Sequence, residues 1–112
     1  MPRYLLLLHG DEPAEDRLTD EERRSVVEAH LALIQELSAA GKLVASEALT
    51  HSRRTRTVRG RSVTDGPFAE TKELVGGFYL LECADDDEAV AWAQRMPTGP
   101  SLAVEIRPVA DV

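Results

Sequence analysis

A chain of 112 residues can bury one hydrophobic core and is too short for two domains. Its net charge of −7, from 20 acidic against 13 basic side chains, argues against general nucleic-acid binding, which needs a cationic surface. With 43% apolar and 29% charged residues and no apolar run near the ~20 residues a membrane helix requires, the composition is that of a globular domain expected in the cytoplasm.

The first predicted element is a strand over Arg3 to His9, whose consecutive leucines imply a central strand covered on both faces. It is too short for the apolar segment of a signal peptide, and no small-residue cleavage site follows it. A loop rich in Asp, Glu and Pro comes next. Thr19 with Glu22 three residues later forms a capping box, and Glu21 and Glu22 place negative charge at the start of the helix that it opens. That helix is expected to run to about Ala40, where Gly41 supplies a left-handed stop. Its apolar stripe is Val26, Val27, His30, Leu33, Ile34 and Leu37, so His30 faces the sheet.

Lys42 to Leu49 reads as a second strand, followed by a short hairpin of Thr55 to Val58 and Ser62 to Thr64 turning near Gly60. Five arginines (Arg53, Arg54, Arg56, Arg59 and Arg61) make this stretch basic on an acidic chain. They read either as a solvated edge that discourages strand pairing or as an anion-steering patch for a small acidic ligand or partner. The segment Asp65-Gly66-Pro67-Phe68 is then a stiff turn. An Asp65 Asx-turn would need the N–H of Pro67, which has none, so the carboxylate must find another partner. Gly66 permits a positive φ, Pro67 stiffens the turn, and Phe68 is expected to anchor it by packing. Glu70, Lys72 and Glu73 read as a solvated entry to the next strand.

Val75 to Glu82 is another central strand, with Phe78 and Leu80 on one side and Tyr79 and Leu81 on the other. The lone cysteine, Cys83, excludes an internal disulfide and reads as a small buried hydrophobe. Asp85 and Glu88 open a second helix with core residues Ala89, Trp92, Ala93 and Met96, stopped by Pro97. A last strand points Leu102, Val104 and Ile106 inward. The order βαβ, hairpin, βαβ predicts a ferredoxin-like α+β fold in one domain, residues 1–112. Both helices would cover one sheet face, and the apolar second face leads to the expectation of a homodimer.

The stretches VTDGPFAETKELVGGFYLLE, DEAVAWAQRMP and VEIRPV, with the opening YLLLLHGDE and the helix end ELSAAGKLVASEAL, resemble the DGPF-containing branch of the YCII-related (YciI-like) family over essentially the whole chain. The resemblance implies a dimeric α+β barrel, an undefined biochemical activity, an active site made of a helix histidine and an aspartate, and in some members a link to sigma factors. The histidine falls on His30 of HLALI, and the aspartate is assigned to Asp65 of the DGPF turn.

A His30–Asp65 pair would supply general acid–base chemistry, in a lyase- or isomerase-like step that needs no cofactor. Arg53, Arg54, Phe68 and His9 are the further ligand-binding candidates, and Gly66 and Pro67 shape the turn. His30 within an apolar stripe reads equally as a core histidine, in which case the domain is a non-catalytic binding or regulatory module. His9, Asp11, Glu12, His30 and His51 lack the close spacing of a zinc site, so no metal is expected.

Overall fold

The computed structural model describes residues 1–68, 73–97 and 102–112. Strand β1 (Arg3–Asp11) leads into a short helix α1 (Glu12–Asp16), then α2 (Asp20–Ala39) and β2 (Leu43–Ala48). After a single 3-10 turn (Ser52–Arg54), β3 (Arg56–Arg59) and β4 (Ser62–Asp65) form a hairpin, followed by β5 (Glu73–Glu82), α3 (Asp86–Ala93) and β6 (Ala103–Pro108). The main sheet is antiparallel in the order β2-β5-β1-β6, which is the ferredoxin-like arrangement. Among the described residues the hairpin pairs only with itself.

The local signals account for most of these boundaries. Thr19 accepts from Glu22 N while the Glu22 carboxylate takes Thr19 N, so both halves of the capping box are present. Gly41, at φ 71°, turns the chain after α2 and lets Lys42 N reach Leu37 O at 2.9 Å. Asp85 caps α3 by accepting from Glu88 N at 2.9 Å. The acidic loop after β1 is not irregular throughout, because Asp11 accepts from Ala14 N and nucleates α1.

Alternation on the central strands decides where the core sits. Leu6 lies opposite Tyr79 and Ile106, and Leu8 opposite Gly77 and Val104. Leu6, Leu8, Tyr79 and Leu81 are buried against Leu33 and Leu37 of α2, Ala89 of α3 and Met96. Cys83 is also fully buried. Val27 is different: assigned by periodicity to the core stripe, it is half exposed, as is Leu31 on the next turn.

The expectation of a dimeric α+β barrel is corrected here. The four-stranded sheet is open, with β2 and β6 as its two edges, and no second chain is needed to explain the strand pairing. A barrel requires edge strands to meet, and the hairpin that could extend the sheet stays separate. Leu5, Leu7, Phe78 and Leu80 on the face away from the helices are only partly exposed. Around them stand charged neighbours on adjoining strands, including the His9–Glu105 pair at 2.9 Å, so the face is not the bare apolar surface that the leucine run suggested.

The DGPF turn is held by its glycine. Gly66 has φ 102°, its N–H donates to Thr55 O at 2.8 Å, and its carbonyl accepts from Thr57 Oγ1 at 2.8 Å. Phe68 is not a packing anchor. It is 71% exposed, with the Arg59 guanidinium 4.6 Å from its ring centre. Glu70 and Lys72 lie outside the described residues, as does the side chain of Glu73.

Candidate functional site

Helix α2 presents His30 to the sheet one turn after Val26 and Val27, and β5 presents Tyr79 on the same side as Leu81. Their side chains meet. His30 Nδ1 lies 2.6 Å from the Tyr79 hydroxyl, with the two rings inclined by 25°. Ser46, opposite Tyr79 on β2, lines the same cleft as these two side chains. Nε2 of His30 has no hydrogen-bond partner among the described residues.

This trio lines a cleft of about 300 Å³ between α2 and the β2–β5 edge of the sheet. Its walls are mainly apolar, with Val27, Leu31 and Ile34 on the helix and Leu8 on the sheet. A mostly apolar cavity with a few convergent polar groups is the usual form of a small-molecule site. The half-exposed Val27 and Leu31 are explained by it, since they face the cleft and not a partner helix.

Burial sets the protonation states. Half-burial lowers the pKa of His30 from its ordinary 6.5, so the ring is held neutral. Burial raises the pKa of Tyr79, opposed by the Ser46 side chain, so the phenol keeps its proton. Two tautomers fit. With the proton on Nδ1, that nitrogen donates to Tyr79 and Nε2 is a free base; with the proton on Nε2, Tyr79 donates into Nδ1 and Nε2–H is a hydrogen-bond donor. In the first tautomer Nε2 can take a proton, and the imidazolium so formed can give it back.

The lowered His30 pKa has a measurable sign. Between the unfolded value near 6.5 and the lower folded value, the unfolded chain binds the proton first, so stability falls as the pH drops through this window and levels off below it. Denaturant titrations from pH 7 to about 5 are expected to show this fall, and His30→Gln is expected to remove the part that His30 contributes. An identical pH slope in the variant would show that His30 is not the responsible group.

The other candidate residues are not assembled around His30. Asp65 stands on the hairpin with its side chain 94% exposed, 3.7 Å from Arg56 Nε. His30 and Asp65 are thus placed in different environments, and the partner of His30 is a tyrosine. The structure does contain a His–Asp ion pair elsewhere, His51–Asp16 at 3.3 Å, where His51 also approaches Glu12 at 3.8 Å. Glu12 in turn accepts from both the backbone N–H and the hydroxyl of Ser52, tying the 3-10 turn to α1. His9, Pro67 and Phe68 share a second groove near Glu12 and Leu49, which Arg53 and Arg54 do not line. Among the described residues no group of three or more His, Cys, Asp or Glu side chains is placed to hold a metal, and no helix is long and apolar enough to cross a membrane.

Tyr79 and Ser46 carry the site but do not stand out by residue type. The available signal was Tyr79 on the core side of a central strand, since a buried tyrosine hydroxyl must find a hydrogen-bond partner.

Comparison with known proteins agrees with this architecture. The YCII-related domain model matches residues 3–112. The chain is 36% identical over 113 residues to "Uncharacterized protein R00369" of Rhizobium meliloti (strain 1021), covering 96% of this chain and 91% of that protein. With the match spanning nearly every residue from the first strand to the C-terminus, this chain belongs to the YCII-related family.

Proposed function

We propose that the α2–β5 cleft binds a small, largely apolar molecule and that His30 transfers a proton to or from it, with Tyr79 holding the ring in place. The observation that carries this reading is the 2.6 Å His30–Tyr79 contact at the wall of an open cleft, with Nε2 left unengaged. A histidine held neutral and oriented by a hydrogen bond at one nitrogen is suited to general acid–base work at the other. The TDGPF turn supports placing the chain in the DGPF-containing branch of its family, but the turn acts there as a structural element.

A second reading has its own support. No carboxylate orients His30 among the described residues, so the ring lacks the group that most often strengthens a histidine base. On that reading the cleft binds and senses a ligand without turning it over. Deuterium exchange separates the two. Cyclohexanone, which has acidic C–H groups beside a carbonyl, is incubated in D2O with the protein and followed by proton NMR. Exchange above the buffer rate that vanishes in His30→Gln is expected for the acid–base site. Binding without exchange would leave the sensing module.

A further inference from the structure

The first cleft adjoins a second, about 200 Å³ in volume, which is lined by Glu15, Leu18, Arg23 and Leu102 among others. Leu8, Val27, His30 and Gly76 line both, so His30 stands on the boundary between the two lobes. Gly76 is the residue whose presence lacks a local cause. It is the extra residue of a bulge in β5: Leu8 pairs with Gly77 and His9 with Val75, leaving Gly76 unpaired toward β1. Its carbonyl is taken by Leu49 N at 2.9 Å.

Gly76 differs from its neighbour. A Cβ on Gly77 would come within 3.0 Å of Glu47 O, so the close approach of β2 requires glycine there. A Cβ on Gly76 would meet no atom of the described residues within 4 Å, and its φ is not in the left-handed region. Neither packing nor backbone conformation excludes a side chain at this position. Glycine inside a strand costs stability, and where no bulge geometry demands it, it marks a place where another molecule approaches the backbone.

We infer that Gly76 is a specificity-determining gap, which lets one flat, mainly apolar molecule lie across the β5 backbone and occupy both lobes, with a hydroxyl or carbonyl oxygen at His30. This rests on the reading of the His30 cleft as a ligand site and adds the size and shape of the ligand. The first lobe alone has the volume of about ten water molecules. One ring leaves the first lobe partly empty, and a longer two-ring molecule that reaches the second lobe must cross over Gly76. Glu15 and Arg23 at the far lobe, together with the largely apolar near lobe, suit a molecule that is polar only at its ends.

Benzyl alcohol and 2-naphthalenemethanol serve as one-ring and two-ring probes, titrated into the protein while the His30 imidazole and the residue-76 amide are followed by NMR. The two-ring probe is expected to bind at least 10-fold more tightly to the parent than the one-ring probe, shifting both signals. Gly76→Val is expected to abolish that preference, weakening two-ring binding far more than one-ring binding. Gly76→Ala adds only a methyl group in open space, keeps the test available if the valine variant does not fold, and is expected to reduce the preference at least 3-fold. Equal two-ring affinity in the parent and Gly76→Ala would overturn the spanning ligand while the His30 site stands. One-ring binding that never moves His30 would overturn the site itself, and failure of both probes to bind the parent would overturn the ligand class.

Discussion

Tyr79→Phe is expected to slow proton transfer at His30 on the order of 10²–10⁴-fold, the range general acid–base groups contribute. The variant removes one oxygen and leaves Nδ1 half-buried with no hydroxyl at 2.6 Å. The ring is then no longer held at Nδ1, and Nε2 loses its fixed position in the cleft. The same change costs about 1–3 kcal/mol of stability, because a desolvated nitrogen loses its partner. Nitrogen-15 NMR of the imidazole reads the tautomer directly, and rates of deuterium exchange read the chemistry. Asp65→Asn is expected to leave the His30 titration unchanged, because that carboxylate is almost fully solvated and paired with Arg56. A Tyr79→Phe protein with the parent tautomer and rate would remove Tyr79 from the site.

The second large effect is on stability and tests which sheet face carries the core. Leu81→Ala is expected to destabilise by about 3–5 kcal/mol, since Leu81 is fully buried under α2 and α3 and its loss leaves a cavity that rigid neighbours cannot fill. Leu80, the adjacent residue on the opposite face, is only partly covered. Its truncation is expected to cost about 1 kcal/mol, near the transfer term of a few methylenes with little cavity. Urea unfolding of the two variants measures the difference. Equal costs would mean that the outer face is as closely packed as the inner one, a result incompatible with the partial exposure of Leu5, Leu7, Phe78 and Leu80.

Local and short-range features were legible in the chain itself. The Thr19–Glu22 capping box, the Gly41 stop, the Asp85 cap and the two-residue alternation of β5 each depend on neighbours within a few positions, and each forms as read. The ferredoxin-like strand order followed from those elements because few topologies connect them without crossing. His30 facing the sheet followed from helical spacing alone.

What only the tertiary structure decided are the contacts between distant residues. His30 and Tyr79 are 49 positions apart, and no period or motif joins them; the packing of α2 on β5 does. The Asp65 assignment rested on a missing local hydrogen bond, but a charged group on an independent hairpin is satisfied by solvent and a cross-strand arginine, so it had no need of His30. The barrel expectation came from the family resemblance, and the homodimer expectation beside it rested on leucines pointing to both faces of β1. Strand alternation says which side a residue faces but not how its neighbours on β5 and β6 cover it, and here charged residues of adjoining strands share that face. The bulge at Gly76 and the space above it are invisible in sequence for the same reason: one extra residue in a strand is defined only by the partner that fails to pair with it.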